Sequence, residues 1–192
     1  MDPDASIDEA GRDLLPPGAD GPPPDFAPPP DLMTAFLELV GAPVPPFALR
    51  TVDGQTLSDG ALRGRVVLLD FWASWCEPCH LASPVMQALH ERHAERGLAV
   101  VGVHCMDFDA DGEPIDAPDA ARAYAADHGY TFTFAYGGDA ACEACHVRSI
   151  PAFIVVDRAG VVRHADFGLF EELEDELEAA IAPLVAEAAG GG

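Results

Sequence analysis

Arg65-Val66-Val67-Leu68-Leu69-Asp70-Phe71-Trp72-Ala73-Ser74-Trp75-Cys76-Glu77-Pro78-Cys79 is the stretch that decides how this chain folds. Arg65 to Phe71 reads as a continuous, largely apolar buried strand, and the residues from Glu77 to Arg96 read as the helix that follows it. Two cysteines separated by two residues at that strand-to-helix junction form a redox dithiol. The first, Cys76, falls at the first turn of the helix, where unpaired backbone N–H groups and the helix dipole favour a thiolate. A Cys76 thiolate can attack a disulfide to give a mixed disulfide, and Cys79 can resolve it by closing an intramolecular bond. This is two-electron chemistry that needs no cofactor. Pro78 shapes the first turn, and Glu77 places beside the sulfurs a carboxylate that opposes thiolate formation.

Working outward, the pattern alternates between strands and helices. Leu98 to Cys105 repeats the buried-strand signature of a central parallel strand. An acidic loop, a helix around Ala117 to His128 and a short strand at Thr131 to Ala135 follow. Ala152 to Val156 and Val161 to His164 are expected to form a hairpin through Asp157-Arg158-Ala159-Gly160. The last helix, about Phe170 to Glu187, should bury Leu173, Leu177, Ile181 and Leu184. Asp31 to Val40 has the spacing of a short amphipathic helix with Leu32, Phe36, Leu39 and Val40 on one side.

The residues from Phe71 to Cys79 resemble the active-site segment of the thioredoxin superfamily, and their surroundings resemble its TlpA/ResA-type thiol–disulfide oxidoreductases. Pro46 to Ser58, followed by Leu62-Arg63-Gly64, is similar to the lead-in hairpin of that branch. Val147 to Asp157 resembles the stretch that carries the superfamily's cis-proline, and Pro84 matches the proline that kinks the active-site helix. The likeness extends from about Ala42 to about Leu184. It implies an α/β thioredoxin fold: a central mixed β-sheet flanked by helices, with a TlpA-type N-terminal hairpin and a central insertion.

The resemblance also implies roles for particular residues. Asp70 matches the buried acid beneath the dithiol, where it would have a raised pKa and exchange protons with Cys79; the alternative is a strand-end Asp that only accepts hydrogen bonds. Thioredoxin pairs that acid with a lysine, and this chain has none. Pro151 is expected to be cis, with Ile150 presenting its backbone to an extended substrate segment, and Trp75 offers an apolar contact surface beside Glu77 and Pro78. Trp72 either flanks the site as well or belongs to the core.

Cys142-Glu143-Ala144-Cys145-His146 stands where relatives carry no cysteines. The alignment brings Cys142 and Cys145 toward the face that carries Cys76, as a possible second redox pair. A structural disulfide, inert thiols and a C-x-x-C-H haem attachment are the other readings. The haem reading is weakened because Cys76 to His80 spells the same string. Cys105 reads as a buried thiol, or as a zinc ligand together with some of His104, Cys142, Cys145 and His146. His80, His90 and His93 are expected to face solvent. No metal and no cofactor is expected.

The chain has 192 residues and a net charge of −23, and all ten of its basic residues are Arg. Such a surface repels nucleic acid and anionic membranes and prefers neutral or basic partners. The expected partners are protein thiols and disulfides together with a reductase or other electron donor, for a monomeric enzyme. Residues 1–30, rich in Pro, Gly, Ala and Asp, are expected to be a disordered arm. Residues 31–41 form a short helix or linker, 42–188 the folded domain, and 189–192 a flexible tail. As written, the chain opens without a secretory signal or a transmembrane segment, which points to the cytoplasm; a start further upstream would instead allow a periplasmic or other extracytoplasmic location. Two rival functions are a peroxiredoxin-like peroxidase and a non-catalytic binding module. The first is disfavoured by Ala73 and Leu69, which stand where a peroxidatic site needs a hydroxyl residue and a proline.

Overall fold

The computed structural model describes residues 30–108 and 118–187. The expected arm (except Pro30), the flexible tail and most of the acidic loop after Asp107 lie outside the described residues.

The dithiol is positioned by a seven-stranded mixed sheet with strands in the order β2-β1-β5-β4-β3-β6-β7. Its centre is β3 (Val66–Trp72), flanked by parallel β4 (Leu98–His104) and antiparallel β6 (Ala152–Val156). All seven residues of β3 are buried, so its side chains feed two separate cores by strand alternation. Val67, Leu69 and Phe71 enter one core; Val66, Leu68 and Trp72 enter the other, under the long helices. Asp70 shares the second face.

The expected lead-in hairpin is β1 (Ala48–Thr51) with β2 (Thr56–Ser58), and the insertion supplies α3 (Pro118–His128) and β5 (Thr133–Tyr136), which pairs with both β1 and β4. The second hairpin joins β6 to β7 (Val162–Phe167), which runs three residues past the expected end at His164. Its turn is closed by Asp157 Oδ1, which accepts the N–H groups of Ala159 and Val161 at 2.9 Å each. Gly160 takes φ +80°, and a Cβ there would run into the guanidinium of Arg63.

Three details of burial differ from the sequence reading. In α5 (Leu173–Ala186), Leu173, Leu177 and Ile181 are buried as expected, but Val185 rather than Leu184 is the fourth. A strict four-residue spacing carries the stripe to 185 and leaves Leu184 half-buried at its flank. The first helix, α1 (Pro30–Leu37), ends before Val40, which is exposed after the turn, while Phe36 and Leu39 are buried. Phe36 lies edge-on to Phe167 with centroids 6.2 Å apart and packs this segment against the core. Finally, His93 near the end of α2 (Glu77–His93) does not face solvent: it is 1% exposed, with Nε2 2.9 Å from the Glu178 carboxylate on α5. His80 and His90 are half-buried. His80 stacks on Tyr124 at 4.7 Å.

Candidate active site

Cys76 and Cys79 are joined by a disulfide with an S–S distance of 2.01 Å. Cys76 caps α2: its Sγ accepts the backbone N–H of Cys79 at 3.3 Å, and Pro78 sits in the first turn, where a missing N–H does no harm. When the pair is reduced, that N–H and the helix dipole face a Cys76 thiolate. Both sulfur residues are buried against the core, and exposed Trp75, Glu77 and Pro78 form the surface around them.

Asp70 lies on the face of β3 that points under α2. Its neighbours across the sheet are Gly102 on β4 and Phe153 on β6, and neither offers a charge or a hydrogen bond from a side chain. One carboxylate oxygen, Oδ1, is enclosed without a hydrogen-bond partner. Burial alone raises its pKa from 3.8 to about 7. No lysine is needed to explain the shift.

The register of β3 with β6 pairs Phe71 with Ala152, so Pro151 falls beside the end of the strand that leads to Cys76. The Ile150–Pro151 peptide is cis. Ile150 packs against both cores, and Pro151 O accepts the N–H of Gly168 at 2.7 Å.

Two supports were not legible in the sequence. The turn after β4 holds the residues just before Cys76. Asp107 Oδ1 accepts the Ser74 N–H at 3.3 Å, its Oδ2 lies 2.6 Å from Nε2 of buried His104, and Trp75 Nε1 donates to Met106 O at 2.8 Å. Behind Cys79, Tyr124 Oη donates to Ser83 Oγ at 3.0 Å, and Ser83 Oγ donates to Cys79 O at 3.1 Å. Burial pushes the Tyr124 hydroxyl up to about 12 despite that bond, so it stays protonated. Neither arrangement has a motif; both are brought together by contacts between elements far apart in sequence.

Cys142 and Cys145 are free and buried on and beside the short helix α4 (Asp139–Ala144). The expectation that they approach the Cys76 face is not met. They belong to the core on one side of the sheet, together with Cys105, whereas Cys76 and Cys79 belong to the other. The contact with Cys142, followed by burial, pushes the Cys105 thiol far up, and burial raises Cys145 to about 12. Thiols held protonated in this way are poor nucleophiles. Enclosed by core side chains, Cys142 and Cys145 also do not fit a thioether attachment to haem. The zinc set suggested around Cys105 does not converge on one point among the described residues.

The fold and the dithiol at the head of α2 define a thioredoxin-fold thiol–disulfide oxidoreductase. The chain belongs to the Redoxin family, which it matches over residues 39–181. It is 32% identical over 159 residues to the thiol:disulfide interchange protein DsbE of Pseudomonas fluorescens biotype C, covering 78% of this chain and 80% of that one. It is 30% identical over 140 residues to the thioredoxin-like protein YneN of Bacillus subtilis (strain 168), covering 72% and 78%. Among solved structures, a thiol:disulfide interchange protein DsbE from Chlorobium tepidum superposes with a TM-score of 0.65 at 29% identity, covering 76% of this chain and 97% of that one. Among the described residues, no helix is long and apolar enough to cross a membrane.

Proposed function

We propose that this enzyme exchanges disulfides with protein substrates through Cys76 and Cys79, acting as a protein-disulfide reductase. The observation that carries the reading is the Cys76–Cys79 bond at the head of α2, with Cys76 as the cap and a carboxylic acid buried beneath. The Cys76 thiolate attacks a substrate disulfide, one substrate sulfur leaves as thiolate, and a Cys76 mixed disulfide remains. Cys79 then gives its proton to the Asp70 carboxylate and attacks the Cys76 sulfur, which expels the second substrate thiolate. With a resting pKa near neutrality, Asp70 can take up a proton in this step and release it afterwards.

The substrate is an extended protein segment laid along Ile150–Pro151 and against Trp75, Glu77 and Pro78. Exposed Phe108, two residues past the Trp75 contact at Met106, and exposed Leu169, next to the Gly168 that bonds Pro151, supply further apolar surface. The names of the relatives, thiol:disulfide interchange protein among them, favour such substrates for this chain as well. The test is trapping. Cys79→Ser should accumulate a mixed disulfide with a disulfide-bonded protein such as insulin, mapped by peptide mass spectrometry to Cys76. A stable adduct on any other cysteine, or none in Cys79→Ser while Cys76→Ser forms one, would reverse the assignment.

A further inference from the structure

Away from the dithiol, three metal-ligating side chains converge from two elements. One ring nitrogen of His164 and one oxygen each of Asp166 and Glu176 lie within 4.8 Å of one another. His164 and Asp166 are two apart on β7 and so share a face. Their partners across the sheet, Val155 and Phe153, belong to the core beneath α5, the helix that carries Glu176 near its start.

The charge at this place is uncompensated. Of the other carboxylates in that part of α5, Glu174 and Glu178 bind Arg92 at 2.8 and 2.7 Å and Glu178 also binds His93, while exposed Asp175 has no ion pair among the described residues. The nearest arginine in sequence, Arg163, is committed to Asp157 at 2.6 Å. Among the described residues, Asp166 and Glu176 have no ion-pair partner, and Asp166 Oδ1 accepts only the Phe167 N–H. Separately, His164 Nε2 is enclosed and has no hydrogen-bond partner. Two like charges beside an unengaged imidazole, in a chain of net charge −23, lack a cation.

We propose that His164, Asp166 and Glu176 bind a divalent transition-metal cation of the zinc type, tying the edge strand β7 to the start of α5. One imidazole and two carboxylates suit borderline ions such as Zn2+ or Co2+ and leave one or more positions for water. The ligand atoms need to draw together by a short side-chain rotation, since a bound ion holds them at about 2.0–2.2 Å from itself. Glu176, being exposed, can make that movement.

The experiment uses the full chain with Cys76–Cys79 oxidised, so that the dithiol does not compete. ZnCl2 is titrated by calorimetry into the wild type, His164→Ala and Glu176→Gln, and CoCl2 binding is followed by visible absorption. The expected result is one saturable site, weakened in His164→Ala by at least the roughly 10–100-fold that loss of a mere outer partner brings, and weakened also in Glu176→Gln. Cobalt bands should lack thiolate charge transfer, and insulin reduction by both variants should match the wild type. If His164→Ala misfolds, Glu176→Gln, which changes an exposed side chain, carries the test. Unchanged zinc affinity in the variants, thiolate-to-cobalt charge transfer, or no saturable binding would each overturn the proposal.

Discussion

Replacing Asp70 with Asn removes a charge that the fold handles badly, and the effect has a definite pH signature. In the folded protein the carboxyl titrates near 7 instead of 3.8 because burial disfavours its charged form. Between those values the folded state therefore holds a proton that the unfolded chain has lost, so stability falls as pH rises. The penalty is absent below about pH 3.8, grows by about 1.4 kcal/mol per pH unit, and levels off above pH 7 at about 4 kcal/mol. Asn carries no such penalty, and whatever its amide gains or loses locally is independent of pH. The stability of Asp70→Asn relative to wild type should therefore improve by about 3 kcal/mol between pH 5 and pH 8. Urea unfolding of the two oxidised proteins at a series of pH values measures this difference, and every other titrating group cancels. A difference that stays flat within about 0.5 kcal/mol across that range, well inside the linkage expectation, refutes the buried-acid argument. The same variant should lose any inflection near pH 7 in the rate at which the mixed disulfide is resolved.

Other perturbations follow from packing and charge. Gly138→Ala would bring a Cβ to 2.6 Å from both His104 O and Val103 Cγ1, so it should destabilise by about 1–3 kcal/mol in thermal or urea unfolding. Burial pulls the Glu178 carboxyl up, but hydrogen bonds from His93 and Arg92 outweigh it and hold the pKa below the ordinary 4.5. Glu178→Gln should accordingly lose about 1.5–3 kcal/mol at pH 7, and the loss should vanish as pH falls through the carboxylate range. Cys105 and Cys145, held protonated, should resist iodoacetamide at pH 8 in the native protein and react once it is unfolded; rapid native labelling would contradict their placement in the core.

Much of the fold could be read from local pattern because the decisive elements are unambiguous. Val66 to Leu69 and Leu98 to Val103 leave little room for anything but central strands, and the cysteines mark the helix that follows the first of them. Asp70 was expected as a buried acid because, six residues before Cys76, it matches the acid beneath the dithiol in the thioredoxins that the segment resembles. The errors arise where tertiary contacts outweigh pattern. His93 looked like a surface residue of a polar helix end until α5 brought Glu178 against it. Cys142 and Cys145 have redox spacing, but spacing does not say on which side of a sheet a short helix packs. The His104–Asp107 support and the His164, Asp166 and Glu176 group join residues whose meeting depends on how distant elements cross.

The most direct test of the central claim is a redox titration of the wild type in glutathione and dithiothreitol buffers, with thiol trapping and peptide mass spectrometry following all five cysteines. Cys76 and Cys79 should titrate together as one two-electron couple while Cys105, Cys142 and Cys145 stay thiols throughout. If Cys142 and Cys145 titrate with that couple, or if Cys76 and Cys79 do not titrate as a pair, the assignment of the redox centre is contradicted.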